Sequence, residues 1–285
     1  LHAVEGRGGL APDLTLSYNS RRVDGALTWM QSDWAGLGWS LDTMEIVRKV
    51  VPSYSPSGGK PAWYWGAWVD WYNEFTLLYK GTGYRLRPVT GGAAYGRYRA
   101  EDEQFLYIER RNTLGGNSSP ANETSEYWIV RLRDGTECRL GYNEDSEQRV
   151  HTNYYDGDLG EACHWTGGQP TTTEACYAGH TMGKVAFRWR VDQVTDTRNN
   201  RLVYAYEEED ATGTPRERAS YLRSIKYHWD GGGYRTEIWF DRATRGSDGV
   251  ADAVSPATDY YNFYQDQFLR SIRVRNWNTS INSYT

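Results

Sequence analysis

The amino-acid sequence predicts an all-β fold built from antiparallel hairpins, and three observations carry that expectation. Apolar residues recur at every second position in Leu14, Leu16 and Tyr18, again in Val185, Phe187, Trp189 and Val191, and again in Leu202, Tyr204 and Tyr206, the period of a strand with one face buried. Turn-forming pairs such as Asp24-Gly25, Asp134-Gly135 and Asn199-Asn200 separate apolar runs, and residues that tolerate positive φ belong in tight turns. The 285 residues include 13 Trp, 23 Tyr and 30 Gly, so rings that suit pleated, half-wet surfaces supply much of the burial. No run carries a helical stripe of useful length.

Taken in order, Gly6, Gly8, Gly9 and Pro12 launch a strand through Leu14, Leu16 and Tyr18. Gly36 and Gly38 bracket Leu37 ahead of Trp39 and Leu41, where glycine permits a tight bend beside a large indole. The chain then reads as strand from Leu41 to Val51, through Met44, Ile46 and Val47, and stops at Pro52. After a Ser/Gly/Pro loop, Trp63, Trp65, Trp68 and Trp71 crowd together before a strand from Glu74 to Tyr79; their spacing changes phase, which predicts a bulge or turn at Gly66. The runs Tyr127 to Val130 and Thr136 to Leu140 flank Asp134-Gly135, predicting a hairpin with a type I′ turn.

Residues 143–183 show no period and read as an insertion or long loop at a sheet edge, a place where function tends to sit. Strands resume at Lys184, with a turn at Arg198 to Asn200. The segments starting at Tyr221 and Phe268 share Leu-Arg-Ser-Ile, an echo 47 residues apart that predicts a repeated β-hairpin unit. Between the two copies lie the turn Asp230 to Gly233 and a connecting loop from Ser247 to Asp259. Three regions follow: 1–142, the irregular 143–183, and 184–285.

The opening motif resembles that of the SpvB-type domain of bacterial insecticidal (Tc) toxin B components and related RHS-repeat proteins. The matching residues are Gly6, Gly8, Gly9, Leu10, Pro12, Leu14, Leu16, Tyr18 and Ser20, then Gly36, Gly38, Trp39, Ser40 and Leu41. The hairpin around Asp134-Gly135 is similar to a family hairpin, and 184–206 resembles the unit that opens RHS/YD-repeat shells, with Asn199-Asn200 for the usual Gly-Asn. The resemblance implies a curved sheet or shell segment of a secreted bacterial protein that encloses or presents a downstream cargo polypeptide, without catalysis of its own. The implied partners are the downstream part of the same polypeptide or neighbouring β-strands of other chains.

Other chemistries are less well supported. A formal charge of −5, with 32 Lys and Arg against 37 Asp and Glu, argues against nucleic acid as a partner. No apolar run is long enough for a membrane span, and the first residues lack the pattern of a signal peptide; since the sequence begins almost on top of a motif, it is expected to be a piece of a longer polypeptide or a processed product. Nucleophile-elbow, Walker and HExxH motifs are missing from the sequence, and it suggests no cofactor. Cys163 and Cys176 flank a loop and are candidates for a disulfide, with free thiols as the alternative. Their grouping with His164 and His180 matches no standard zinc spacing, so no metal is assigned. A second reading is an extracellular surface adhesin or filament subunit that stacks a cell-surface glycan on Trp63, Trp65, Trp68 and Trp71. A third is a glycoside hydrolase using Asp70 and Glu74, although no spacing singles out that pair.

Overall fold

The structure is a computed structural model that describes residues 5–20, 33–52, 69–89, 95–112, 120, 122, 124–150, 185–210, 217–245, 265, 267–278 and 281–285. For residues 50–52, 69–72, 150, 185, 210, 217 and 218 only the backbone is described. The fold is all-β. Strands β1 (Thr15–Tyr18) and β2 (Trp39–Asp42) form a separate antiparallel ribbon. The remaining strands are β3 (Glu45–Pro52), β4 (Val69–Tyr79), β5 (Thr82–Pro88), β6 (Gly96–Ala100), β7 (Tyr107–Arg111), β8 (Tyr127–Arg131), β9 (Glu137–Leu140), β10 (Glu147–Val150), β11 (Val185–Thr195), β12 (Arg201–Asp210), β13 (Glu217–Trp229), β14 (Tyr234–Thr244), β15 (Gln267–Asn278) and β16 (Ser283–Tyr284). They make one 14-stranded sheet.

β11 is the hub of that sheet. Strands β3 to β9 follow one another as neighbours, and β11 pairs with both β3 and β9, which closes eight strands into a barrel-like ring. Its Arg188–Arg190 segment lies against β3, while Gln193–Thr195 takes β12 on the same edge. From β12 the sheet leaves the ring as an arm, in the order β12, β13, β14, β15, β16. The strands of 1–142 and of 184–285 are therefore hydrogen-bonded to each other.

Alternation along each ring strand sends one set of side chains inward. Ile46, Phe75, Leu77, Leu86, Tyr98, Ile108, Trp128, Val130, Leu140 and Trp189 are all buried. The rings of Phe75 and Tyr98 each meet Trp128 edge-on, with centroids 5.0 and 5.1 Å apart, and Trp189 packs on Phe75 at 5.9 Å. Each such side chain contributes roughly 1.5–3 kcal/mol by burial. The ring is thus filled with side chains rather than hollow.

The hairpin turns follow from which residue tolerates positive φ. At Asp134-Gly135 only Gly135 has positive φ, at +86. Leu132 N–H donates to Thr136 O at 2.8 Å and Gly135 N–H to Leu132 O at 3.1 Å. The connection is a three-residue loop with a bulge, not the expected type I′ turn, because Asp134 keeps ordinary φ. The β11–β12 turn repeats this geometry, with Asn199 at φ +64 in the left-handed position and Asp196 Oδ1 accepting the N–H groups of Arg198 and Asn200, both at 2.8 Å.

Two sequence expectations change in detail. The strand expected from Leu41 to Val51 is interrupted at Thr43, giving β2 and β3. Leu16 and Tyr18 are exposed although Leu14 and Leu41 on the same face are buried; the half-buried polar face meets the β4–β5 turn, where Ser17 Oγ hydrogen-bonds Asp42 Oδ2 and a Cβ on Gly81 would meet that Asp42 oxygen at 3.2 Å. Within the span read as irregular, residues 144–146 form a 3-10 turn and 147–150 form β10, antiparallel to β11.

Candidate functional site

The feature most open to a partner is the arm from β12 to β16. Opposed residues in its registers share a face, so Tyr204, Ile225, Ile238, Phe240 and Ile272 line one side, and Lys226, Glu237, Trp239, Asp241, Arg273 and Arg275 line the other. The apolar side is covered by the opening motif. Trp34 packs edge-on against Tyr221 and Phe240, with centroids 6.0 and 6.2 Å apart, and its carbonyl accepts Leu269 N–H at 2.7 Å. Gly6 sits so close to Tyr227 that a Cβ there would lie 3.1 Å from the ring. This explains the glycine-rich start: the chain passes flat over a ring and over the β11–β12 turn, where a Cβ on Gly8 would meet Asn200 Nδ2 at 2.8 Å.

The Leu-Arg-Ser-Ile echo has a structural meaning. In β13 the register with β12 slips between Leu222 and Ser224, and in β15 the register with β14 slips between Leu269 and Ser271. Arg223 and Arg270 are the extra residues of two equivalent bulges, and both are exposed. A bulge re-aims a side chain and adds twist, so the repeated motif curves the arm at matching points. On the charged face, Arg223 and Arg275 lie over Trp239 at 5.0 and 4.2 Å, and Arg275 and Lys226 both pair with buried Glu237.

Among the described residues the arm ends on an open edge. Asn276 N–H donates to Thr285 O and Thr285 N–H to Asn276 O, both at 2.9 Å. By the two-residue alternation of an antiparallel ladder, the backbone groups of Val274 and Ile272 face that same side. No strand among the described residues pairs with them, and the Val274 side chain is 48% exposed.

A second polar cluster closes one end of the ring. Glu126 accepts Arg48 Nη2 at 3.2 Å, Tyr95 OH at 2.9 Å and a short bond from Arg110. Arg48 also donates to Ala186 O at 2.9 Å and lies 5.1 Å from the Trp189 ring. Burial pulls the Arg48 guanidinium down to about 10, opposed by Glu126. One carboxylate between two arginines and a phenol is a packing device that compensates buried charge.

Of the residues singled out from sequence, Trp63, Trp65, Trp68, Cys163 and Cys176 lie outside the described residues, as do His164 and His180. Trp71 and Asp70 stand in β4 opposite Val50 and Val51. Glu74 is ion-paired with Lys49 at 3.3 Å and Arg85 at 3.9 Å on an exposed surface. Among the described residues no group of three or more His, Cys, Asp or Glu is placed to hold a metal. No helix there is long and apolar enough to cross a membrane. Sequence reasoning missed Glu126, Arg48 and Arg110, which come from distant strands; the charged residues inside the alternating runs of β3 and β7 were the available signal.

No protein-family model matches the chain, and no curated protein matches it. Solved structures do. The TcdB2-TccC3 crystal structure matches at TM-score 0.57 and 18% identity, covering 100% of this chain and 14% of that one. The N-terminal domain of effector protein SpvB from Salmonella typhimurium strain LT2 matches at TM-score 0.53 and 17% identity, covering 98% of this chain and 87% of that one. The Photorhabdus luminescens Tc holotoxin pore matches at TM-score 0.52 and 17% identity, covering 98% and 13%. The chain therefore spans a small part of the Tc toxin chains and nearly the whole SpvB domain, and its fold is the one they share.

Proposed function

We propose that this chain is a structural wall segment of a secreted, Tc-toxin-like polypeptide, joined edge to edge with further β-strands that enclose or present a cargo, and that it carries no catalysis itself. The observation that supports the reading is the arm: twisted by two matched bulges, apolar on one face, charged on the other, and ending on backbone groups at Ile272 and Val274 that no strand among the described residues pairs. An exposed edge of this kind invites strand addition. The partners are downstream segments of the same polypeptide or strands of a neighbouring chain. In the proposed division, 1–142 supplies the ring strands β3 to β9, 143–183 an insertion that begins with β10, and 184–285 the closing strand β11 followed by the arm.

Thiol labelling tests the reading. Val274→Cys is labelled quickly in the chain alone, where the side chain is 48% exposed. In the intact polypeptide the same thiol is expected to react at least tenfold more slowly, because a neighbouring strand covers it. Equal rates in the two would overturn the wall assignment.

A further inference from the structure

The charged face of the arm holds two rows of cations. Arg223 and Lys226 stand on β13, Arg273 and Arg275 stand on β15, and β14 runs between them with Glu237, Trp239 and Asp241. The rows lie two strand spacings apart, about 9.5 Å. The Trp239 ring joins them: Arg223 stacks on it at 5.0 Å and Arg275 at 4.2 Å. Further along the face, Lys226 and Arg275 meet the Tyr284 ring at 5.6 and 5.9 Å.

The charge on this face runs against that of the chain, which carries −5 overall. Glu237 is buried and shared by Arg275 and Lys226. Asp241 takes Arg273, Ser271 Oγ at 2.7 Å and Trp239 Nε1 at 3.1 Å. Four cations therefore meet two carboxylates, and the face keeps an excess of positive charge. Arg223 is exposed and, among the described residues, has the Trp239 ring rather than a carboxylate as its partner. A guanidinium held flat on an indole keeps its N–H edge for a planar carboxylate, and a side chain already positioned loses little freedom on binding.

We propose that this face docks an acidic polypeptide segment in extended form, lying along β14 between the two rows, with carboxylates at alternate positions. The spacing matches. Arg273 and Arg275 are two residues apart on one strand, about 6.8 Å, and side chains on one side of an extended chain repeat at that same distance. Arg223 and Lys226 receive carboxylates from the opposite row, and Trp239 gives the segment an apolar floor. A net charge of −5 disfavours a long polyanion, whose field acts on the whole chain, more than a short acidic segment that meets this face alone. Docking uses a face of the arm, whereas strand addition at Ile272 and Val274 uses its edge, so either can fail without the other.

The test titrates the chain into a fluorescein-labelled peptide in which Glu alternates with Thr, followed by fluorescence anisotropy at low salt. Binding is expected to weaken roughly fivefold or more when Arg223→Gln and Arg273→Gln are combined, and to fade as salt is added. Arg85→Gln combined with Arg131→Gln removes two exposed arginines from the ring instead and should leave binding unchanged. The wild type gives a second reading that needs no variant: the peptide should shift the Trp239 indole N–H resonance in NMR spectra. No binding at low salt, equal weakening by the two double variants, or an unmoved Trp239 resonance would overturn the proposal. So would a sulfated oligosaccharide of equal charge that binds more tightly than the peptide.

Discussion

Replacing Gly141 by alanine tests how tightly the ring closes on Trp189. Gly141 follows β9, has φ +71, and its N–H donates to Arg190 O at 2.9 Å. A Cβ there would sit 2.8 Å from Trp189 Cβ and Cγ. Trp189 is fully buried between Phe75 and Trp128, so it has nowhere to move without displacing them. Gly81 is a matched control: its φ is also +71, yet its Cβ would meet only the ends of two half-buried polar side chains, Asp42 Oδ2 at 3.2 Å and Ser17 Oγ at 3.7 Å. The left-handed backbone alone costs about 1–2 kcal/mol for a residue with Cβ, and overpacking a closed core adds about 1–3 kcal/mol. Gly81→Ala should therefore lose about 1–2 kcal/mol and Gly141→Ala about 2–5 kcal/mol. Urea unfolding followed by tryptophan fluorescence and circular dichroism measures both. Equal losses for the two variants would mean that Trp189 is not clamped by the ring and would refute the packing argument.

Other substitutions probe separate parts of the account. Glu126→Gln leaves Arg48 and Arg110 without their shared counter-charge in a buried place, and should destabilise by about 3–5 kcal/mol in denaturant unfolding; a loss below about 1 kcal/mol would show that water reaches the cluster. Asn199→Gly should be neutral or slightly stabilising, while Asn199→Ala should lose about 1 kcal/mol, since Asn199 sits at φ +64 in the β11–β12 turn. Cys138 is buried, and burial pushes its thiol up to about 12. In native protein at pH 8 the peptide containing it should stay unalkylated by mass spectrometry and become modified only on unfolding.

Much of the strand pattern is legible in the sequence because one-sided burial imposes a period of two. Phe187, Trp189 and Val191, or Leu202, Tyr204 and Tyr206, announce their strands and their inward faces. The turn residues are legible too, although the type at Asp134-Gly135 is not, since the number of loop residues depends on where the flanking ladder ends. The Leu-Arg-Ser-Ile echo reads as a repeated unit, but its bulges emerge only from register. Ring closure is hidden for a similar reason: β11 meets β3 and β9 across more than a hundred and about fifty positions respectively, and no local pattern encodes that pairing. Leu16 and Tyr18 mislead because the ribbon presents its polar face to the β4–β5 turn, a choice made by tertiary contact. The polar cluster at Glu126 draws on several strands at once, so its charges look like ordinary surface residues until the sheet folds around them.

The most direct measurement is a density map of the intact polypeptide that contains this chain. The account predicts a filled eight-strand ring closed through β11, and a further β-strand hydrogen-bonded along Ile272 and Val274 of β15. A bare β15 edge, with the chain standing apart around a deep cleft of converging carboxylates, would contradict it.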